Sequence, residues 1–108
     1  MKSEIAFGDE RVKEGFDKLN SLKEKNLHEQ LVKAFKNLED DAFCGIQIPK
    51  RLIPKEYFIR FGSLNNLWKY NLPDAWRLIY TIKNNHVSVL SVILEWMDHK
   101  EYEKRFKY

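Results

Sequence analysis

Apolar positions change period along this chain. Val12, Phe16, Leu19 and Leu22 recur at helical spacing, and Leu27, Leu31, Phe35 and Leu38 repeat the pattern after a break at Asn26. The first stripe predicts a helix capped by Asp9 and running to about Lys25, with Glu10 suited to the positive end of its dipole. Gly15 inside it weakens the helix by about 1 kcal/mol relative to Ala and leaves room for another element to approach. The second stripe predicts a helix ending near Asp41. A short loop between them makes an antiparallel helical hairpin.

From Asn66 onward the period falls to two. Three runs rich in Trp, Tyr, Ile, Val and Thr are separated by Pro73-Asp74 and by Asn84-Asn85, which predicts a three-stranded antiparallel meander. A charged helix follows from about Asp98. Ile5 and Phe7 alternate with Glu4 and Ala6 in a short strand over Ser3–Phe7. Between hairpin and meander, Cys44, Ile46 and Ile48 alternate until Pro49. Pro54 to Phe61 reads as a short helix ended by Gly62. The order is β-α-α-connector-β-β-β-α. Segregated this way, it is an α+β fold: a small twisted antiparallel sheet with the helical hairpin on one face, all in a single domain over residues 1–108.

Register assigns the faces. A two-residue turn at Asn84-Asn85 sets Lys83 opposite His86, Thr81 opposite Ser88, Ile79 opposite Leu90 and Arg77 opposite Val92. Trp76, Leu78, Tyr80, Ile82, Val87, Val89, Ser91 and Ile93 then share an apolar face for the helices, with Leu78, Tyr80, Val89 and Ile93 meeting Phe16, Leu31 and Phe35. Arg77, Thr81, Lys83, His86 and Ser88 share a mixed face open to solvent or ligand. Trp68, Tyr70 and Leu72 join the apolar face only if the connection at Pro73-Asp74-Ala75 is odd in length or bulged. That connection also sets Lys69 beside Arg77. Glu95 falls on the apolar face and receives no catalytic role.

Composition narrows the setting. The chain has 108 residues, 44% apolar and 32% charged, with a net charge of +3, the balance of a soluble globular domain. That charge permits a polyanionic partner without requiring one. No apolar run approaches a membrane span, and the N-terminal stretch lacks the apolar core of a secretory signal. Cys44 is the single cysteine, so no internal disulfide forms, and a reducing cytoplasm is the expected location. No Cys/His spacing suggests a zinc site, and His28 and His86 read as surface residues.

The stretch NLWKYNLPDAWRLIYTIKNN, followed by VSVLSVILEWMDHKEY, resembles the RelE/ParE superfamily of type II toxins, most closely its RelE-like branch. The most specific piece is WRLIY, an Arg opening a strand of alternating apolar residues. DHKEYEKRF, a His and a Tyr just after the last strand, is similar to the C-terminal ends of several branches. The resemblance implies a helical hairpin packed on one face of a twisted antiparallel sheet, with basic residues on the opposite face. It implies metal-free, cofactor-free cleavage of mRNA in the ribosome, in which the 2′-hydroxyl attacks its own 3′-phosphate. A cognate antitoxin protein would block it. ParE-like members share the fold but act on DNA gyrase and are not nucleases.

Such cleavage needs a base, a fixed cation and an acid. Arg77 matches the family position of the cation, and guanidinium grips two phosphate oxygens while staying charged. Read from spacing alone, Arg77 is an exposed strand Arg in an ion pair, and Lys69 is a solvated strand Lys. The resemblance lets Lys69 contact phosphate or act as base. His99, where the last helix begins, suits a base or proton donor, or is a plain surface His. Tyr102 suits a proton donor or stacking platform, or packs the helix against Trp96. Asp98 and Glu101 read as a helix cap and its partner. Lys83, Lys104 and Arg105 are candidate RNA-backbone contacts, with Lys107 beside them on a solvated face. Few cations fall on the open face, which keeps open the alternative of a gyrase inhibitor or an inactive RNA- or protein-binding module.

Overall fold

Side-chain alternation and two hydrogen-bonded turns build the sheet on which everything else rests. In a computed structural model, which describes residues 1–20, 24–85 and 87–106, the order is β1 (Glu4–Phe7), α1 (Glu10–Leu19), α2 (Lys25–Asp40), β2 (Ile46–Gln47), α3 (Lys55–Phe61), β3 (Trp68–Asn71), β4 (Arg77–Asn84), β5 (Val89–Met97) and α4 (His99–Phe106). The strands form one sheet in the order β1-β5-β4-β3-β2. The fold is α+β, as the periodicities imply. The sheet is mixed rather than antiparallel throughout, because β1 lies parallel to β5, with Glu4 beside Leu90 and Phe7 beside Ile93. β1 and β5 are joined through the rest of the chain, so no hairpin forces them antiparallel.

Asp9 caps α1 through a 2.9 Å bond from the Val12 amide. α1 ends at Leu19, short of the expected Lys25, and Leu22 lies outside the described residues. The Trp96 ring lies over Gly15 at ordinary contact distance. The connector holds more structure than its sequence announced. Two residues of it pair with β3 as an edge strand, Ile46 beside Lys69. α3 ends, as expected, at Gly62, whose φ of 81° favours a residue without a Cβ.

The β3–β4 connection is odd in length. Asn71 pairs with Arg77, Tyr70 with Leu78 and Trp68 with Tyr80, which keeps Trp68, Tyr70 and Leu72 on the face of Leu78 and Tyr80. Asp74 and Ala75, at φ 60° and 63°, turn the chain between Pro73 and Trp76. Left-handed backbone costs a residue with a Cβ about 1–2 kcal/mol, and the greater freedom of an unfolded Gly takes back about 0.4–1 kcal/mol. Ala75→Gly is therefore expected to stabilise the protein by about 0.5–1 kcal/mol in urea unfolding. A destabilised variant would rule out strain at this turn.

The β4–β5 turn is not the two-residue turn at Asn84-Asn85. Asn84 pairs with Val89, and the Asn85 carboxamide accepts from the amides of Val87 and Ser88 at 2.8 and 2.7 Å, an Asx turn in a longer loop. Lys83 thus pairs with Leu90 and Thr81 with Val92; His86 lies outside the described residues. The slip from the expected register is even, so these strand segments keep their faces. A bulge then changes the rest. Tyr80 pairs with Ile93 but Ile79 with Glu95, which leaves Leu94 unmatched. Arg77 consequently pairs with Met97 rather than Val92, and Glu95 leaves the hairpin face for the opposite one.

The hairpin covers its face as expected. Leu78, Tyr80 and Ile93 pack with Leu31, Phe35, Leu38 and Phe16 in one cluster. Val89, expected among them, is only partly buried. His28, read as an ordinary surface residue, is partly buried and stacks on Phe16 with ring centroids 4.7 Å apart. The other face is not open. Ile48, Ile53, Tyr57, Leu64 and Leu67 of the connector, with Tyr102 and Phe106 of α4, form a second core on Ile79, Val92, Leu94 and Met97. Thr81, expected at a ligand, is 1% exposed, and its hydroxyl donates to Asn66. No helix among the described residues is long and apolar enough to cross a membrane.

Candidate functional site

The second core leaves one end of its sheet face polar, where β3 and β4 meet their turn. Alternation places Lys69, Asn71 and Arg77 on this face, and Arg77 lies beside Met97, two residues before α4 begins. Asp98 caps α4 by accepting from the Glu101 amide at 2.9 Å. The helix then turns Tyr102 down onto the sheet, 4% exposed. The Tyr102 ring receives two cations: Lys69 Nζ lies 5.0 Å from its centroid and the Arg77 guanidinium carbon 5.7 Å. Both distances fall within cation–π range. Tyr102 thus packs the helix on the sheet, though in the second core and not against Trp96, which lies on the hairpin face, while forming the floor between two positive charges.

Arg77 keeps donors in reserve. Its Nη1 reaches the Trp76 carbonyl at 3.2 Å, while its Nε is buried with no hydrogen-bond partner among the described residues. A buried donor left unsatisfied is costly, and the donors open to a ligand oxygen are those at the tip of the guanidinium. The side chain is half-buried rather than exposed. Gly45 helps hold the edge beside Lys69. A Cβ there would sit 2.6 Å from the Lys69 carbonyl oxygen and 2.5 Å from the Tyr80 hydroxyl.

His99 opens α4, and its Nε2 lies 2.6 Å from Glu103 Oε1 one turn on. The imidazole is half-exposed and oriented by that carboxylate. No family model, curated protein or solved structure matches the chain. The cluster is two fixed cations on an aromatic floor; His99, exposed at the head of the adjoining helix, pairs with Glu103 and is near them only in sequence and register. Such a set can hold a phosphodiester and move protons around it.

The other expected RNA contacts do not join this cluster. Lys83 is exposed six residues along β4 from Arg77, about 20 Å away at strand rise. Lys104 is exposed on α4, and Lys107 lies outside the described residues. Arg105 is not a solvated side chain. Its Nη1 lies 2.7 Å from each oxygen of Glu95, its Nη2 2.8 Å from Glu101 and its Nε 3.2 Å from Glu56. Burial alone would lower its pKa, but the bonds to Glu95 and Glu101 outweigh that and raise it. Glu101 consequently reaches forward to Arg105, and the reciprocal half of the expected capping arrangement is replaced by this pair.

Tyr57 completes this network by donating to Glu95 at 2.7 Å. Burial first, and the Glu95 carboxylate second, push the Tyr57 phenol up, so it stays protonated. The Glu101–Arg105 pair at i, i+4 was readable from spacing. Glu95 was not, because the bulge at Leu94 leaves no mark in the alternation.

Proposed function

We propose that this chain is a RelE-like toxin of a type II toxin–antitoxin system, acting in the cytoplasm on mRNA by metal-free 2′-hydroxyl attack with the chain's own side chains: the convergence of Lys69 and Arg77 on the Tyr102 ring carries the reading. In the cleavage step the 2′-oxygen bonds to phosphorus and the bond from phosphorus to the 5′-oxygen breaks. The 2′-proton passes to a base, for which His99 and Lys69 are the candidates. The leaving 5′-oxygen takes a proton from an acid, for which Tyr102 and His99 are the candidates. Arg77 offers unused donors to the crowded phosphorane, where a fixed cation counts most. The products are a cyclic phosphate and a 5′-hydroxyl. A cognate antitoxin and the ribosome are the partners this reading implies.

A second reading rests on the sparseness of the cluster. Arg105 is committed to three carboxylates and Lys83 is distant, so the cations at hand are fewer than the candidate set first suggested. A gyrase inhibitor or a non-catalytic RNA- or protein-binding module on this fold would fit that. Incubation with translating ribosomes and mapping of mRNA ends separates the two. New ends bearing 5′-hydroxyls are expected. Intact message at toxin levels that still stop growth would favour the binding reading.

A further inference from the structure

We propose that Arg105 is a positioning residue: by gripping Glu95 on β5 and Glu56 on α3, it fixes the rotation of α4 so that Tyr102 stays over Lys69 and Arg77. Only the catalytic consequence rests on the nuclease reading; the placement of the ring does not.

Burial of Tyr102 and Phe106 holds α4 against the sheet. Apolar burial is non-directional, however, and says little about how the helix is turned about its own axis. A shift of one residue in the face presented turns an α-helix by about 100°. Charge-assisted hydrogen bonds are directional. All three guanidinium nitrogens of Arg105 are engaged; two of them tie α4 to other elements, through Glu95 of β5 and Glu56 of α3, while the Glu101 pair lies within the helix. Arg105 stands three residues after Tyr102, on the neighbouring turn of the same side of the helix. Fixing one fixes the other.

The far end of the grip is itself set. Glu95 reaches this face only because the bulge leaves Leu94 unmatched between Ile93 and Glu95. Tyr57 of α3 then holds one of its oxygens at 2.7 Å. The Arg105 and Glu95 side chains are 21% and 22% exposed. A partly buried carboxylate held at hydrogen-bond distance by Arg105 and Tyr57 loses much of its support when either partner goes. Because carboxylates hold each of its three nitrogens, Arg105 acts on the site through Tyr102 and not by touching RNA.

Proton NMR tests this. The Lys69 ε-methylene and Arg77 δ-methylene protons, next to the cations that lie over the Tyr102 ring, are expected upfield in the parent and at ordinary positions in Tyr102→Leu. Arg105→Ala should move them toward those ordinary positions while the Leu78 and Ile93 methyls on the hairpin face keep their shifts. Folded Arg105→Ala with unchanged Lys69 and Arg77 protons would overturn the proposal. Should Arg105→Ala fail to fold, the neutralised Glu56→Gln variant loosens the grip from its exposed side on α3. Partial loss of the upfield shift is then expected, and no change overturns the proposal.

Cleavage gives the second arm. Arg105→Ala should lower it by about 100-fold, the scale of a catalytic group misplaced by about 1 Å. In a Tyr102→Leu background the same change should cost little more, since both act through one ring. Equal losses in both backgrounds would overturn action through Tyr102. A parent that does not cleave overturns the nuclease reading, and the NMR arm still decides the positioning.

Discussion

Arg77→Ala is expected to lower mRNA cleavage by about 100-fold or more, the scale for losing one fixed donor to a transition-state charge. Growth arrest on induction should go with it. The guanidinium stays charged at any physiological pH, and its Nε is buried without a partner among the described residues. Its donated bond to the Trp76 carbonyl is long, at 3.2 Å. Little of the fold hangs on it, and the half-buried side chain should cost about 1 kcal/mol when truncated. End mapping on ribosomes and urea unfolding of the same variant read the two effects separately. A variant that cleaves and arrests growth like its parent would remove Arg77 from the chemistry.

Leu78→Ala should act in the opposite way, through stability alone. Leu78 is fully buried between Tyr70 and Trp96 in register, in the cluster that joins the sheet to Leu31, Phe35 and Leu38. Emptying such a site costs about 2–5 kcal/mol, the lost transfer energy plus the cavity. For a domain of this size that is a large part of the total. A loss below about 0.5 kcal/mol in chemical denaturation would mean the cavity collapses at almost no cost.

These two residues also mark what the sequence disclosed and what it concealed. The alternation of Arg77, Leu78, Ile79 and Tyr80 assigned β4 to its faces correctly, because a period of two is imposed by the pleat and not by neighbours. The stripes of α1 and α2 placed the hairpin in the same way, through the period of about 3.6 that the helical backbone imposes. Which strand position faces which was another matter. It depended on the Asn85 side chain capping its own loop and on one unmatched residue, Leu94. Neither disturbs the apolar pattern. Arg77 therefore lies nearer His99 along the sheet than the simple turn implied.

The opposite face was misjudged for a different reason. Thr81 and the flanking cations look like a wet surface, but alternation cannot say whether a connector will fold back over it. Ile48, Ile53 and Tyr57 do so. Of the candidate site, the gathering of Lys69 and Arg77 was legible from the odd β3–β4 connection. The commitment of Arg105 was not, since its chief partner, Glu95, seemed to point elsewhere.

The parallel pairing of β1 with β5 bears on how the chain comes together. Glu4 finds its neighbour in Leu90, almost at the other end of the polypeptide. Closing so long a loop is paid in entropy before any contact returns it, and contacts this remote slow folding. During synthesis α1 and α2 emerge with Leu31, Phe35 and Leu38 ready to be covered and nothing to cover them. Their floor, Leu78 and Tyr80 on β4 and Ile93 on β5, is made later. A ribosome that stalls before Val89 holds a nascent chain whose first strand has no partner.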